Sequence, residues 1–383
     1  MQDKQPQIRL AVDTHHLLLE HAGTKRITVN VLEEIRKRDS IKLLEFKPRY
    51  LVTKKTGVLS KILGHFIRFI WVHVHLPVLC FRYKADLLLS PEFNTPFYTP
   101  CKRVVIVPDA HMKAQKEYTS KFWFYLYYLP LIESAIRKAD LIITISKFAK
   151  KQIVELMRVK AERVHVTYLG VDSHFFKSRT AEEKLKDIAE QGLKYKNYIL
   201  FVGTFEARKN IERLLEAFAL IKKEYSDATA ELKLAIVGQP SSGMFSDRSR
   251  QIRDLIEHLN LKQDVILCGF VSDSALPGIY EGACMVAFPS LHEGFGLPII
   301  EGFVSRVPVL TSNLCSMPEI AGDAAAIVDP FNVNDIYEKM RDILFNKTYS
   351  ENLIQSGLRR VKCFTWERCT DQILSHITSL LKK

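Results

Sequence analysis

Residues 284–302 read CMVAFPSLHEGFGLPIIEG. The opening run, CMVAFPS, is short and apolar, the pattern of a strand buried on both faces. Gly294 and Gly296 follow, and Pro298 suits the first turn of a helix, where its missing N–H costs nothing. The local reading is strand, glycine turn, helix, the repeating unit of a parallel α/β sheet. Two carboxylates, Glu293 and Glu301, flank the turn.

Working outward, the same alternation covers the chain. In the second half YILFVGT, LKLAIVG, VILCGFV and VPVLTS join CMVAFPS as strands, with helices expected near 210–224, 247–259, 298–305 and 333–345. In the first half IRLAVDT, KLLEFKP, ADLLLSP, RVVIVPD, LIITIS and RVHVTYL read as strands, with helices near 24–38, 58–82, 119–139 and 147–158. Continuous apolar strands separated by helices imply parallel sheets covered on both faces. Two such series imply two doubly wound, Rossmann-like domains. We expect the first over residues 1–175 and the second over 198–365, with the polar stretch 176–197 as linker. The helical spacing of Trp366, Ile373, Ile377 and Leu380 in 366–383 suggests a final helix that packs back on the first domain. Ligands of open parallel sheets bind at the carboxyl ends of the strands, so the opening motif should line a cleft between the domains.

The composition is that of a globular protein, with 383 residues, 47% hydrophobic and 26% charged. Seven unpatterned cysteines suggest reduced thiols in a cytosolic protein rather than a disulfide framework or a zinc site. No signal peptide is visible, and no apolar run nears the roughly 18 residues of a membrane span. The longest, FIWVHVHLPVLCF (69–81), holds two histidines, so membrane contact is expected to be peripheral. The net charge is +12, and all of the excess lies in the first half: residues 1–194 carry 34 Lys+Arg against 20 Asp+Glu. Such asymmetry points to an anionic partner for that half, or to a merely basic surface.

Free backbone N–H groups at a positive helix terminus form an anion site. Phosphate is the obvious guest, and carboxylates would repel it, so Glu293 and Glu301 should instead take hydroxyl groups. A ligand with phosphate in the middle and hydroxyls on both sides is a nucleotide sugar. The bland alternative is a capped helix with two exposed glutamates. A second stretch, FVGTFEARKNIERLLEAF (201–218), again reads strand, glycine turn, helix. Arg208 and Lys209 precede its helix, with Asn210 as the expected N-cap. Two cations there oppose the helix dipole unless an anion neutralises them, and a diphosphate would do so.

With these residues in view, the chain resembles the GT-B-fold retaining glycosyltransferases of family 4, also called glycosyltransferase group 1. EGFGLPIIEG matches that family's Glu-x7-Glu motif, and VGTFEARKNIERLLEAF, SNLCSMPEIAG and KADLIITISKFAKKQIVE match other family segments. The resemblance spans nearly the whole chain. It implies metal-independent transfer of a sugar, with retained configuration, from a GDP- or UDP-linked donor that is substrate rather than cofactor. Lys209 and Arg208 would hold the diphosphate, Glu301 the ribose and Glu293 the donor sugar. Gly203, Thr204, Gly294 and the backbone N–H groups of Phe295, Gly296 and Leu297 would line the donor. A glycine-rich loop common near the family's N-terminus reads HAGTKRI here, with Gly23 its best match. The family's usual His-Asp after the fourth strand becomes Pro108-Asp109, which leaves Asp109 in the catalytic position and His111 nearby. Arg306 stands where a glycine is usual. The implied partners are a glycan or lipid-linked acceptor of envelope or surface polysaccharide and an anionic membrane surface, with no nucleic acid. The implied location is cytoplasmic, on the inner membrane face. An isomerase or hydrolase of the same fold, or a weakened scaffolding subunit, is the alternative.

Other residues carry two readings each. His15 and His16 are strand-end histidines or cleft residues. The aromatic run KFWFYLYYLP (121–130) is core or acceptor contact. The segment 47–84 mixes Lys54, Lys55, Lys61 and Arg68 with Phe66, Phe69 and Trp71, as an interfacial helix or a domain helix with basic flanks.

Overall fold

In a computed structural model of the chain, residues 7–18, 22–48, 58–110, 113, 124–240 and 247–382 are described. They divide into two units, Met1–Gly170 with Thr365–Lys383, and Val171–Phe364.

The first unit holds β1 (Ile8–Asp13), β2 (Ile41–Phe46), β3 (Leu87–Ser90), β4 (Lys102–Ile106), β5 (Leu141–Thr144) and β6 (Val164–Val166). Among the described residues they form one parallel sheet of order β2-β1-β3-β4-β5-β6. Strands such as β3 are buried along their whole length, because helices cover both faces. Helix α1 (Ala22–Arg36) follows β1. The expected helix 58–82 is α2 (Val58–Ile70), a π-helical turn over Trp71–His75, and α3 (Leu76–Arg82). Residues 124–133 are also π-helical, with Pro130 inside. Next come α4 (Ser134–Lys138) and α5 (Lys147–Met157), the latter capped by Ser146, whose hydroxyl accepts from Ala149 N.

The second unit opens with α6 (Ala181–Glu190), inside the stretch read as linker from its polarity. A capping box starts it: Thr180 Oγ1 accepts from Glu183 N at 3.1 Å, and Glu183 Oε2 accepts from Thr180 N at 2.8 Å. The charges that suggested a linker cover its solvent side, while Ile188 is buried. The strands are β7 (Tyr198–Val202), β8 (Lys233–Val237), β9 (Val265–Gly269), β10 (Met285–Phe288), β11 (Val309–Ser312) and β12 (Ala326–Val328). Their parallel order is β12-β11-β10-β7-β8-β9. The edge strand β12 is a finding beyond the five strands expected. The helices are α7 (Ile211–Glu224), α8 (Ser249–His258), α9 (Leu276–Gly282), α10 (Leu297–Val304), α11 (Met317–Ala321), α12 (Val333–Phe345) and α13 (Lys347–Arg360). The final helix, α14 (Trp366–Leu381), belongs to the first unit, where Asp371 Oδ1 accepts from Arg38 Nη2 at 2.8 Å. Trp366 seats against Gly170, where a Cβ would lie 2.2 Å from the Trp366 nitrogen.

All seven cysteines are free. The expectation that no apolar run is long enough to span a membrane needs correction. The π-helical turn fuses two shorter apolar stretches, and Leu63–Arg82 becomes one helical run of 20 residues, long and apolar enough to cross a membrane by length and composition.

Candidate functional site

In the second sheet the chain runs β7, β8, β9 to one side and returns with β10 on the other side of β7. The carboxyl ends of β7 and β10 therefore flank the topological switch point, where doubly wound sheets open a crevice. Gly203 follows β7, and the Pro289–Gly296 loop follows β10. Glycine is required at position 238 at the end of β8, because a Cβ there would lie 1.9 Å from the Gly203 carbonyl oxygen. Beyond Gly203 and Thr204, a 3₁₀ turn over Ala207–Lys209 leads into α7. Asn210 sits at the expected N-cap position, but its side chain does not cap. Its φ is +59°, and Nδ2 donates to the Pro289 and Pro330 carbonyls at 2.9 and 2.7 Å. Leu291 N donates to Arg208 O at 2.7 Å. These bonds join the two loops, so residues 84 positions apart in sequence come together.

What they bring together is a buried ionic cluster. Lys209 Nζ lies 2.6 Å from Glu293 Oε1 and 5.1 Å from the centre of the Phe288 ring. Arg208 places Nη1 3.0 Å from the same Glu293 oxygen and Nε 2.7 Å from Glu206 Oε2. Arg208 Nη1 also donates to the His292 carbonyl at 3.2 Å, and Thr204 Oγ1 donates to Glu206 Oε1 at 2.8 Å. The sequence reading separates the cations from Glu293. Here they are paired, because a carboxylate is the available anion beside one buried and one half-buried positive charge. Burial pushes the Glu293 carboxyl up, but Lys209 and Arg208 outweigh it and bring it down to about 2. Burial lowers the Lys209 ammonium, with Glu293 opposing and Arg208 assisting. Glu206, itself buried, was missed in sequence. Its place two residues before Arg208 in FEARK was the only signal.

Glu301 is on the second turn of α10 and only 2% exposed, against the alternative of an exposed glutamate. Tyr280 Oη donates to its Oε2 at 2.6 Å. Gly296, at φ +101°, turns the chain into α10 in a conformation that side chains resist. Phe295 is buried, and Leu297 starts the helix with Pro298 in its first turn. Ser316 was also missed. Its hydroxyl donates to the Glu293 and Phe295 carbonyls at 2.9 Å each, and so holds the loop that carries Gly294. Arg306 occupies its glycine-preferring position with φ +57° at the C-terminal end of α10, its side chain exposed.

The first unit also gathers charge at its switch point, between β1 and β3. His15 Nδ1 lies 2.7 Å from Asp13 Oδ2, and Trp71 Nε1 donates to Asp13 Oδ1 at 3.0 Å. Arg68 donates to Glu92, whose Oε2 is 3.9 Å from His15 Nε2. Burial raises the Asp13 carboxyl, but His15 and Trp71 outweigh it and hold it below its usual range. His15 is thus a buried, carboxylate-paired side chain, and Asp13 and Glu92 are partners that sequence reading did not select. Asp109 is half-buried after β4, and the Pro108 carbonyl accepts from Thr144 Oγ1 at 3.4 Å. Gly23 is the second residue of α1. His111, residues 121–123, Lys54 and Lys55 lie outside the described residues, as does the side chain of Lys61. On the helical run Leu63–Arg82, Trp71, Val72, Leu76 and Cys80 are buried in the unit's core, while Leu63, Phe66, Val74, Val78 and Phe81 are exposed.

Comparison with known proteins follows this division. The family model described as Glycosyltransferase Family 4 matches residues 15–175, and that described as Glycosyl transferases group 1 matches residues 183–360. The O-antigen chain mannosyltransferase B of Escherichia coli is 31% identical over 268 residues, covering 70% of this chain and 66% of that protein. The serotype-specific mannosyltransferase WbdA of the same organism is 27% identical over 293 residues, covering 76% of this chain and 35% of that protein. The chain therefore spans about two thirds of the first relative and about a third of the second. The solved sucrose-phosphate synthase of Thermosynechococcus elongatus superposes with a TM-score of 0.76 at 18% identity, covering 98% of this chain and all of that one. With two six-stranded parallel α/β units in the GT-B manner, the chain belongs to the group 1, family 4 glycosyltransferases.

Proposed function

We propose that this protein transfers a hexose, mannose before others, from a GDP- or UDP-linked donor to a glycan or lipid-linked acceptor in the synthesis of an envelope or surface polysaccharide. The observation that carries the reading is the buried Lys209–Glu293–Arg208 cluster at the switch point of the second unit, beside Glu301. A diphosphate entering there replaces the carboxylate as the partner of Lys209 and Arg208. That frees Glu293 to accept hydrogen bonds from the donor sugar, while Glu301 accepts from ribose hydroxyls. In the transfer, the bond from the anomeric carbon to the diphosphate oxygen breaks as the acceptor hydroxyl bonds to the same face. The acceptor proton passes to the leaving phosphate, and the two cations stabilise the charge that develops on it. Configuration is retained, and no carboxylate nucleophile is needed. Mannose is preferred because the similar proteins are named mannosyltransferases.

We assign the first unit to the acceptor and to an anionic membrane surface on the cytoplasmic side. Support comes from its charge excess and from the exposed apolar residues of Leu63–Arg82, among them Phe66 at 60% and Phe81 at 75%. The opposite side of that helix is locked into the unit through Trp71 and Arg68. A helix so held lies on a membrane rather than across it.

The test is incubation with labelled GDP-mannose and UDP-hexoses in the presence of membrane lipid extract and EDTA. Label transferred to lipid or glycan is expected. Free altered sugar would mean an isomerase or hydrolase, and binding without turnover would mean a scaffolding subunit. Loss of transfer to EDTA with rescue by manganese would remove the metal-independent mechanism.

A further inference from the structure

We propose that Tyr280 is a positioning residue for Glu301, pinning one carboxylate oxygen so that the other is presented in a fixed plane to the ribose hydroxyls of the donor. The inference rests on the reading of Glu301 as the ribose ligand and extends it to a residue 21 positions away in sequence.

A carboxylate buried as deeply as Glu301 has lost its water and must find hydrogen-bond donors in the protein. The phenol of Tyr280, fully buried, meets Oε2 at 2.6 Å. A bond of that length between a hydroxyl and an ionised oxygen is short and directional, so it fixes the rotation of the carboxylate. The phenol is itself held. Phe175 meets the Tyr280 ring edge-on, with centroids 5.5 Å apart and planes at 69°. Helix α9, which carries Tyr280, seats closely on α6. A Cβ at Gly282 would lie 2.4 Å from Ile188 Cδ1, and one at Gly278 would lie 2.8 Å from Asp187 Oδ2. Lys184 of α6 pairs with Glu281 of α9 at 2.5 Å. The capped helix in the stretch read as linker is therefore the rear support of a chain that runs α6, α9, Tyr280, Glu301. The contact of the remaining oxygen with a diol depends on the carboxylate plane, and small angular errors at such contacts cost affinity steeply. A tyrosine that merely fills the core would give none of this selectivity for ribose.

The experiment measures dissociation constants of GDP and UDP, and of their 2′- and 3′-deoxy counterparts, for the full chain and for Tyr280→Phe, Glu301→Ala, the double variant and Phe175→Leu. The quantity read is the ribose-to-deoxyribose affinity ratio within each variant, which a general loss of stability does not move. We expect the unaltered chain to favour ribose about tenfold or more, as sites built to hydrogen-bond a hydroxyl do. Glu301→Ala should abolish the ratio. Tyr280→Phe should cut it roughly three- to tenfold, the worth of one hydrogen bond. The double variant should match Glu301→Ala, since two residues acting on one contact are not additive. Phe175→Leu, which loosens the ring but keeps the hydroxyl, should lower the ratio less, and it decides the matter if Tyr280→Phe does not fold. If Glu301→Ala loses the ratio while Tyr280→Phe and Phe175→Leu keep it, Tyr280 only fills the core and the inference fails alone. If Glu301→Ala keeps the ratio, the ribose reading of Glu301 fails and the inference falls with it.

Discussion

The two units end their sheets at equivalent switch points, yet they build different chemistry there. In the second unit the charges sit on loops. Lys209 and Arg208 meet Glu293 across two turns containing glycine, beside a helix N-terminus that can offer backbone N–H groups. In the first unit carboxylates dominate. Asp13 and Glu92 are held by donors, Trp71 and Arg68, from a helix whose other side is apolar and exposed. On the proposed function, one scaffold would serve a phosphate-bearing ligand at one switch point and a hydroxyl-bearing, surface-borne ligand at the other. The difference lies in what holds the carboxylates: cations from a facing loop in the second unit, donors from a helix with an exposed apolar side in the first.

The comparison is most sharply broken at Lys209. If Lys209 meets the leaving diphosphate as proposed, Lys209→Ala removes an interaction worth roughly 1.5–3 kcal/mol, so kcat/KM for transfer should fall about 10- to 150-fold. Unchanged kinetics in a folded variant would take Lys209 out of the site.

The pairing of Glu293 makes a prediction in acid. Its carboxyl is brought from 4.5 to about 2 in the fold, with burial opposing and Lys209 and Arg208 prevailing. A depressed value means that protonation favours the unfolded chain. The stabilisation, on the order of 3 kcal/mol by linkage, is complete above about pH 4.5 and is lost as pH falls toward 2. Denaturant melts of the second unit between pH 6 and 3 should show this acid limb, and Glu293→Gln should flatten it. Equal slopes in both proteins would contradict the pairing.

For the first unit, pelleting with vesicles should rise with anionic lipid content and fall with salt, since each basic residue near the surface contributes about 1 kcal/mol. Phe66→Ser and Phe81→Ser together should release most of the bound protein, at about 1.5–3 kcal/mol for each large apolar side chain withdrawn from the interface. Nucleotide binding should not change. Equal pelleting of the parent and the double variant would mean that the exposed face has another use.

The smallest effect is at Arg306. With φ +57° and an exposed side chain, Arg306→Gly relieves left-handed strain of about 1–2 kcal/mol, partly offset by the freedom glycine gives the unfolded chain, so it should stabilise the second unit by about 0.5–1 kcal/mol, read as a higher melting temperature with transfer unchanged. A loss of activity would show that the arginine itself touches the reaction.

The sheets were legible because β3, β10 and their neighbours are apolar on both faces, and periodicity reports that directly. The strand β12 was not, since AIV is three residues long and amid alanines reads as nothing in particular. Helix α6 carried a readable signal in Thr180-x-x-Glu183, but charge density masked it. In the site, the loop motifs announced Lys209, Arg208, Glu293 and Glu301 as a group. Their pairing was hidden, because Asn210 joins the loops through bonds to carbonyls 79 and 120 positions away. Tyr280 was hidden for the same reason. The packing of α9 on α6 sets its hydroxyl against Glu301, and no local pattern encodes that packing.

The central claim, that the second unit is a nucleotide-sugar site with its two glutamates on opposite sides of the diphosphate, is tested most directly by calorimetric titration. GDP, UDP and their mannose and glucose conjugates should be titrated into the full chain, Glu301→Ala and Glu293→Ala. The account predicts saturable binding of at least one nucleotide sugar by the parent. Glu301→Ala should bind the free nucleoside diphosphate about tenfold or more weakly, and Glu293→Ala should bind it well but lose the added affinity of the sugar. No binding by the parent, or both variants binding diphosphate and conjugate as the parent does, would contradict it.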